Sequence, residues 1–370
     1  MKNLTLLIKP ASGLCQYRCE YCFYKDEMRL RGENEPCVMR EDTLESLIRK
    51  AFAYGAPQTA FAFQGGEPTL AGLRFFENVV RLQKHYARGA AYANTLQTNG
   101  GRIDEEWAGF LSREHFLVGV SMDGDEESHD LYRKDAENRG TWLRTKEACA
   151  LLKSHDVPFN VLCVVSKANV TKPVQTYEAL KEYRFIQFIA CLDAFGQKDA
   201  VYAASQEELA GFLKQTFDLY ERDILNGEYT SVRMFDNFLQ MLSGMRPESC
   251  AMNGRCSVDF TVESDGSVYP CDFYCLDEWK LGNIRETGFV QLERCETAKR
   301  FVNSSVSVPD KCKACKYYVL CRGGCRRERE QARDECGRPI NRYCEAYRNF
   351  FDYAYTRLIA LKERISALRR

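Results

Sequence analysis

Three closely spaced cysteines near the start of the chain constrain its fold more than any other feature. They are Cys15, Cys19 and Cys22, and they follow the short apolar run Leu4–Ile8. A tight loop with this Cys-x3-Cys-x2-Cys spacing can direct three thiolates at one point, and thiolates are the usual ligands of iron–sulfur clusters. Three ligands on a four-iron cluster leave one iron open, by the same logic as the open position of catalytic zinc sites. The spacing therefore indicates chemistry at the metal and not electron storage alone.

Length and charge favour a globular protein of two domains and argue against several partners. The 370 residues exceed one simple core. Basic and acidic residues number 52 each, so no basic surplus predicts nucleic acid or an anionic membrane as a partner. No apolar stretch approaches the roughly 18 residues that are needed to span a bilayer. We therefore expect neither nucleic-acid binding nor membrane insertion.

The number of cysteines favours metal or redox sites. The first residues lack the length and the small-residue cleavage site of a signal peptide, so we expect a cytoplasmic protein. In a reducing cytosol the 18 cysteines are poor disulfide candidates. The alternative, an exported disulfide scaffold, is disfavoured because such scaffolds are usually short and carry a leader.

Strand-like runs alternate with amphipathic segments over roughly the first 230 residues. The runs are Leu4–Ile8, Ala60–Phe63, Asn94–Gln97, Phe116–Ser121, Asn160–Val165 and Phe185–Ala190, and the amphipathic segments include Glu41–Ala53, Leu73–His85 and Gln206–Leu225. Such alternation predicts βαβ units and a parallel sheet. Six units fall short of the eight of a complete barrel. We therefore predict an α/β fold whose residues 1–235 form a partial (β/α)6 TIM-type barrel.

The predicted strands end in loops that suit a functional site. The first runs into the cysteine loop, and four others run into the polar or glycine-rich segments Gln64–Pro68, Gln97–Gly100, Ser121–Gly124 and Cys191–Asp193. The βα loops of such barrels gather at one face, where their active sites lie. Gly, Asn and Asp also make ordinary turns, but their agreement with the cysteine loop favours one shared site.

A second cysteine array lies beyond residue 245, where the regular alternation stops. Its eight members are Cys250, Cys256, Cys271, Cys312, Cys315, Cys321, Cys325 and Cys344. Spacing alone leaves open two iron–sulfur clusters, zinc sites or buried thiols. Residues 260–269 predict a β-hairpin turning at Asp265-Gly266, and a helix is expected from about Cys344 to Arg370. We therefore predict a smaller cysteine-rich domain with a C-terminal helix over residues 236–370.

Seven cysteines remain outside both arrays. Cys149 and Cys163 fit small core side chains, and Cys191 is ambiguous because it lies at a strand end. The other four, for which exposed thiols are one interpretation and which nothing in the sequence distinguishes, are Cys37, Cys275, Cys295 and Cys336.

These motifs resemble the radical S-adenosylmethionine (SAM) superfamily, and within it the anaerobic sulfatase-maturating enzymes. The superfamily resemblance rests on the cysteine triad and on Gly65-Gly66-Glu67-Pro68. The hairpin glycine Gly266 and the late cysteines resemble the SPASM extension, which carries two auxiliary clusters. The closer likeness rests on Leu6–Ser12, Cys22–Tyr24, Phe61–Gly72, Leu96–Gly100, Ser121–Gly124, Val262–Tyr274 and Gly323–Arg327.

The resemblance implies three [4Fe-4S] clusters and S-adenosyl-L-methionine as cofactors. Cys15, Cys19 and Cys22 would hold the first cluster. The two auxiliary sets would be Cys250, Cys256, Cys271 and Cys325, and Cys312, Cys315, Cys321 and Cys344. Contacts to SAM are implied for Tyr24, Gly66, Ser121, Arg133 and Leu192. Taken alone, Arg133 would more simply be a surface charge and Tyr24 a packing residue.

The resemblance also implies the reaction, which oxidises a cysteine or serine of a sulfatase to Cα-formylglycine. A 5′-deoxyadenosyl radical takes hydrogen from Cβ, and the substrate then loses a proton and an electron. Asp272 matches the base of the family. Gln64 is a candidate for binding the target peptide, because it borders the strand ends. The implied partners are a sulfatase polypeptide with a Cys-x-Pro-x-Arg-type motif and a flavodoxin or ferredoxin as electron donor. We expect a monomer.

Two alternatives remain open from the sequence. One is a related radical SAM maturase that forms a thioether or carbon–carbon cross-link in a small ribosomal peptide. It would share both cysteine arrays, but the segment around Asp272 argues against it. The other is a non-enzymatic zinc scaffold, which predicts a colourless protein without iron.

Overall fold

The computed structural model describes residues 2–31, 37–196 and 201–368. The strands are β1 Leu4–Ile8, β2 Gln58–Phe63, β3 Ala91–Thr98, β4 Leu117–Ser121, β5 Phe159–Val165, β6 Phe185–Ala190, β7 Ser231–Val232, β8 Thr261–Val262, β9 Ser267–Tyr269 and β10 Gly282–Asn283. The α-helices are α1 Phe23–Leu30, α2 Glu41–Ala53, α3 Leu73–Ala87, α4 Glu105–Arg113, α5 Glu126–Tyr132, α6 Trp142–Ser154, α7 Pro173–Leu180, α8 Gln206–Leu225, α9 Arg233–Leu242, α10 Phe289–Arg294, α11 Glu296–Ser304, α12 Asp310–Lys313, α13 Tyr318–Cys321, α14 Arg326–Arg329 and α15 Cys344–Leu368.

The chain divides into two compact units, each built from separate stretches. Unit 1 contains Met1–Ser121, Arg133–Phe159 and Ser257–Asn303. Unit 2 contains Met122–Tyr132, Asn160–Cys256 and Ser304–Arg370.

Unit 1 is organised around a sheet with the strand order β10-β9-β8-β1-β2-β3-β4. The strands β1 to β4 are parallel to their neighbours, as the alternation of strands and helices requires. Aromatic side chains fill the space between this sheet and its helices. Phe63 of β2 lies 5.1 Å from Phe76 of α3, and Phe76 lies 5.2 Å from Trp107 of α4, measured between ring centroids.

The late hairpin lies directly beside the first strand of the chain. Strands β8 and β9 are antiparallel, and Gly266 at the turn has the positive φ of 84° that glycine accepts without strain. Strand β8 pairs in parallel with β1, with Leu7 opposite Thr261 and Ile8 opposite Val262. This pairing brings residues that are about 250 positions apart in sequence to one edge of unit 1.

Unit 2 joins the parallel strands β5, β6 and β7 to three long helices. Ser205 and Glu208 form a capping box that begins α8. Helix α15 packs against α8 and α9 through Phe350, which is fully buried. The Phe350 ring stacks on Phe235 at 5.6 Å and meets Phe217 edge-on at 5.8 Å.

Most of the predicted elements are present at the predicted positions. Strands β1 and β6 and helices α2 and α8 have the predicted bounds, and the predicted hairpin and C-terminal helix are confirmed. Residues 369–370 lie outside the described ranges. The short strands β7 and β10 were not predicted, because two residues carry no detectable periodicity. Among the described residues, no helix is long and apolar enough to cross a membrane.

Replacing Phe350 by Ala should lower the free energy of unfolding by about 3–5 kcal/mol, since it opens a cavity among buried rings. Urea denaturation of the cluster-loaded protein measures this change. The matched control is Thr356→Ala on the exposed side of the same helix, and we expect almost no change there. Equal stability of the two variants would show that α15 does not anchor unit 2.

Candidate active site

The cysteine loop leaves the end of β1 and runs directly into α1. Cys15 reaches solvent, Cys19 and Cys22 are half-buried, and Cys22 is the residue before the first turn of α1. The backbone N–H of Tyr17 donates to Cys15 Sγ at 3.3 Å, and Lys25 Nζ donates to the carbonyl of Cys19 at 2.7 Å. These contacts order the loop without using the cysteine side chains as packing groups.

The surroundings of the three thiols favour binding to positively charged metal ions. The pKa of Cys15 is raised to about 12. The largest cause is the loss of hydration beside other protein atoms. The negative charge of Glu67 and the neighbouring thiols of Cys19 and Cys22 add to it. Three neighbouring thiols are costly to ionise together because their negative charges repel, whereas bound metal stabilises the thiolate form. The local chemistry therefore fits the iron–sulfur cluster that the spacing predicts.

Glu67 connects the cysteine loop to the ends of β2 and β3. Its carboxylate is fully buried and accepts hydrogen bonds from Thr69, from Thr98 Oγ1 at 2.8 Å and from the backbone of Asn99 at 2.8 Å. Its own N–H donates to the carbonyl of Leu14 at 2.7 Å. One buried residue, through its side chain and its backbone, thus fixes three loops relative to one another.

Asn99 extends this network to a cysteine. Its side-chain oxygen accepts from Gln16 Nε2 at 3.0 Å and from the N–H of Gly101 at 2.8 Å. These two donors orient the amide so that its nitrogen donates to Cys15 Sγ, 3.4 Å away.

Gly66 lies where no side chain fits. A Cβ on Gly66 would be 2.1 Å from the carbonyl oxygen of Leu14 and 2.5 Å from the carbonyl carbon of Gly13. The Gly66 N–H donates to the carbonyl of Ser12 at 2.8 Å. In the structure, glycine at this position allows close contact with the chain's own cysteine loop.

The structure places Ser121 and Arg133 in unit 1 with the cysteine loop. Ser121 Oγ, at the end of β4, accepts from Gln97 Nε2 at 3.1 Å. Arg133 is buried, with its guanidinium 5.4 Å from the ring of Tyr21 and 3.9 Å from Cys19 Sγ. The interpretation of Arg133 as a surface charge is therefore wrong.

Tyr24, Gln64 and Asp272 form a hydrogen-bonded triangle. The Tyr24 hydroxyl donates to Asp272 Oδ2 at 2.8 Å, and Gln64 Nε2 donates to the same oxygen at 3.1 Å and to the Tyr24 hydroxyl at 2.8 Å. Burial and the charge of Asp272 raise the pKa of Tyr24 well above its ordinary value, so the hydroxyl keeps its proton. The interpretation of Tyr24 as packing alone is therefore wrong.

Behind this triangle lies a buried charged cluster that the sequence did not predict. Its members are Lys9, Glu27, Arg31, Glu263 and Cys275, and Lys9 Nζ lies 3.0 Å from Asp272 Oδ1. The only sequence signal was a lysine at the end of the apolar run Leu4–Ile8. The cluster depends on the pairing of β1 with β8, which sequence periodicity does not reveal.

The pKa values of two acids in the cluster shift in opposite directions. Burial, opposed by Lys9, raises the pKa of Glu27 to about 8, which favours the neutral form of this carboxyl. Burial would also raise the pKa of Glu263, but Lys9 and Arg31 lower it below its ordinary value. Lys9 thus lies beside the carboxylates of both Glu263 and Asp272, and Arg31 lies beside that of Glu263. Burial also raises the pKa of the Cys275 thiol, and the interpretation of Cys275 as an exposed thiol is wrong.

Unit 2 groups the late cysteines that it contains into two sets. One cavity of about 380 Å³ is lined by Cys312, Cys315, Cys321 and Cys344. Burial, together with the nearby thiols, raises the pKa of Cys344 to about 11. Cys325 interacts electrostatically with Cys250 and Cys256. Four thiols around one cavity fit a metal cluster better than scattered core thiols would.

Other cysteines vary in their surroundings. Cys149, Cys163 and Cys191 are buried, as small core side chains are, whereas Cys37 and Cys336 are exposed and Cys295 is half-buried. The thiol of Cys163 accepts a hydrogen bond from Asn169 Nδ2 at 3.5 Å.

Arginines from the C-terminal part of unit 2 hold the segment that carries Leu192. The carbonyl of Asp193 accepts from Arg327 at 2.8 Å, and its carboxylate accepts from Arg342 at 2.5 Å. Arg327 also lies over the ring of Phe195, 3.6 Å from its centroid. Leu192 therefore lies on an ordered segment although it follows the end of β6.

Replacing Gly66 by Ala should displace the cysteine loop, because the new Cβ would overlap the backbone at Gly13 and Leu14. We expect the reconstituted protein to lose about one third of its iron, the share of one cluster in three. Iron and sulfide counts measure the loss. The matched control is Gly109→Ala in α4, where, beyond its chain neighbours and the adjacent backbone of its own helix, no atom in the described part of the chain lies within 4 Å of the added Cβ, and iron should stay at the wild-type level. Full iron content in the Gly66 variant would contradict the close contact.

Comparisons with known proteins agree with this arrangement. The model of the radical SAM superfamily matches residues 10–180, and the model of the SPASM iron–sulfur cluster-binding domain matches residues 250–316. A cysteine-type anaerobic sulfatase-maturating enzyme of Clostridium perfringens (strain 13 / Type A) is 44% identical, covering 99% of this chain and 100% of the relative. A serine-type enzyme of Bacteroides thetaiotaomicron is 32% identical, covering 95% of this chain and 89% of that relative.

A solved structure supports the same relationship. Native anSMEcpe with bound AdoMet and Cp18Cys peptide superposes with a TM-score of 0.92 at 42% identity, covering 98% of this chain and 99% of that one. Similarity of this extent in sequence and in structure defines a common family. The chain therefore belongs to the anaerobic sulfatase-maturating enzymes of the radical SAM superfamily.

Proposed function

We propose that this enzyme oxidises a cysteine of a sulfatase polypeptide to Cα-formylglycine, with a Cys-x-Pro-x-Arg-type motif as its target. The observation that carries the proposal is the triangle of Tyr24, Gln64 and Asp272, which holds one carboxylate in the same unit as the cysteine loop. Greater identity to cysteine-type than to serine-type relatives, 44% against 32%, supports cysteine as the target residue.

The proposed cofactor sites follow the resemblance of the motifs. Cys15, Cys19 and Cys22 would hold the cluster that binds SAM, with Tyr24, Gly66, Ser121, Arg133 and Leu192 as contacts to SAM. The auxiliary clusters would be held by Cys250, Cys256, Cys271 and Cys325, and by Cys312, Cys315, Cys321 and Cys344. When bound, the first cluster and SAM supply the radical that removes hydrogen from the target Cβ.

Asp272 would accept the proton that the substrate loses after hydrogen removal. Its carboxylate is partly accessible, with the side chain 12% exposed, and is held by donors and not by packing alone. Tyr24 and Gln64 both donate to Oδ2, so they hold the carboxylate in a fixed orientation. A base must lie within hydrogen-bond reach of the proton that it takes, and fixed orientation serves that requirement.

The electron released by the substrate requires an acceptor outside these residues. We propose the auxiliary clusters for this role, with a flavodoxin or ferredoxin as the physiological donor for the first cluster. We further propose a cytoplasmic monomer, and a functional boundary near residue 235 between the radical SAM region and the cluster-binding region.

Anaerobic incubation with SAM, reductant and a Cys-x-Pro-x-Arg peptide should produce a peptide that is lighter by about 18 Da, since the sulfur leaves and an aldehyde oxygen enters. Mass spectrometry measures this loss, and an aldehyde-reactive hydrazide confirms the product. The matched control peptide carries serine in place of cysteine and should react more slowly. A loss of about 2 Da from the cysteine peptide would instead indicate a cross-link.

Replacing Asp272 by Asn should separate the two halves of the reaction. We expect SAM cleavage to continue and aldehyde formation to fall by roughly 10²–10⁴-fold, the usual contribution of a general base. Liquid chromatography of 5′-deoxyadenosine and mass spectrometry of the peptide measure the two products together. Undiminished aldehyde would remove Asp272 from the role of base.

A further inference from the structure

Lys9 is a fully buried lysine to which the proposed reaction assigns no role. It follows β1 directly, and its side chain is 2% exposed. Its backbone N–H donates to the carbonyl of Val262 at 2.8 Å, so the hairpin strand fixes the position of its Cα. Burying an ammonium group is costly unless anions and hydrogen-bond acceptors surround it. A lysine at this position therefore requires an explanation from its neighbours.

Acceptors from three segments of unit 1 converge on the Lys9 ammonium. Its Nζ lies 3.1 Å from Glu27 Oε2, 3.3 Å from Glu263 Oε1 and 3.0 Å from Asp272 Oδ1. It also donates to Cys275 Sγ at 3.2 Å and lies 4.7 Å from the ring centroid of Tyr24.

The ammonium occupies the place of a metal ion. Donor atoms of Glu27, Asp272 and Cys275 all lie within 4.8 Å of one another, as the ligands of one cation would. Lys9 Nζ lies within 3.2 Å of each of these atoms. The cluster is therefore a cage for the chain's own cation, and its shape depends on that cation.

Lys9 matters more for compensating the buried charge of Asp272 than for compensating that of Glu263. Glu263 also binds Arg31 at 2.7 Å and accepts from Ser12 Oγ at 2.8 Å. In contrast, Asp272 Oδ1 is buried and accepts no hydrogen bond from any residue in the described part of the chain. The nearby charge of Lys9 is what compensates its burial.

The two oxygens of Asp272 are thus held from opposite sides. Tyr24 and Gln64 hold Oδ2 by hydrogen bonds, and Lys9 holds Oδ1 by charge. Without the ammonium, Oδ1 would be buried and uncompensated, so the carboxylate would turn toward water. A small displacement of a reacting group costs far more rate than it costs stability.

We propose that Lys9 is a positioning residue for proton removal, acting by holding Asp272 in its reactive orientation. The inference rests on the proposed function of Asp272. Loss of Lys9 would then leave an enzyme that cleaves SAM but seldom completes the aldehyde. A residue that only balances charge would not affect the two products differently.

The test compares wild type, Lys9→Met, Asp272→Asn and the double variant, all reconstituted with clusters and supplied with the cysteine peptide. The measured quantity is aldehyde formed per 5′-deoxyadenosine. We expect Lys9→Met to lower this ratio about 10–100-fold through kcat, with an unchanged peptide KM. The double variant should lose no more than Asp272→Asn alone, because Lys9 acts through Asp272. Additive losses, or an unchanged ratio in Lys9→Met, would overturn the proposal.

Two further variants separate positioning from charge and folding. Lys9→Arg keeps the charge but cannot place one ammonium among the same acceptors, so its ratio should stay low. Full recovery in Lys9→Arg would mean that a positive charge suffices without an ammonium at this one position, and would overturn positioning. Lys50→Met is the matched lysine control, since Lys50 donates only to the carbonyls of Ile284 and Arg285 among the contacts described, and its ratio should match wild type.

The design also distinguishes failure of the base assignment from failure of this inference. If Asp272→Asn keeps the wild-type ratio, the base assignment fails, and the positioning role fails with it. If Asp272→Asn loses the aldehyde while Lys9→Met does not, only the positioning role fails. If Lys9→Met loses iron, the positioning role is tested in Lys9→Arg and in the double variant, which removes one charge of each sign. The measured quantity is again aldehyde formed per 5′-deoxyadenosine.

Discussion

The parallel pairing of β8 with β1 is the constraint on which the rest of the site depends. Two backbone hydrogen bonds at 2.8 Å, from Leu7 to Phe260 and from Lys9 to Val262, join the beginning of the chain to a hairpin about 250 residues later. Because strand pairing fixes side-chain direction, it also fixes which side chains meet beyond the strand ends. Lys9 follows β1 and Asp272 follows β9 of the hairpin, and the two come within 3.0 Å for this reason.

Burying several ionisable groups together is stable only when their charges and hydrogen bonds are matched. Around Lys9 the charges are largely matched, since Glu263 also binds Arg31 and the raised pKa of Glu27 favours its neutral form. Removing one partner from such a group usually costs more than the pair contributes, because a buried charge remains uncompensated. The cluster therefore specifies one arrangement of the groups around Asp272, and its value to the enzyme is precision of geometry more than net stability.

The sequence predicted the local elements well, and the contacts between distant segments poorly. Short apolar runs located β1 and β6, and the amphipathic pattern of residues 206–225 located α8. Cysteine spacing indicated the metal sites because ligand geometry constrains spacing directly. Lys9 and Glu27 were missed because their role exists only after β1 and β8 pair. Cys275 was misjudged for the same reason, since nothing in its neighbouring residues indicates burial.

The hydrogen bonds of Glu67 have a consequence for how tightly a cofactor can be held. Glu67 and the close contact at Gly66 already fix the backbone of the cysteine loop through protein contacts alone. A preorganised receptor spends little conformational entropy when its ligand arrives, so more of the intrinsic interaction energy remains as affinity. The same rigidity that leaves no room for a methyl group at Gly66 thus lowers the entropy that the loop loses when a cluster binds. More of the binding energy therefore remains as affinity for the cluster.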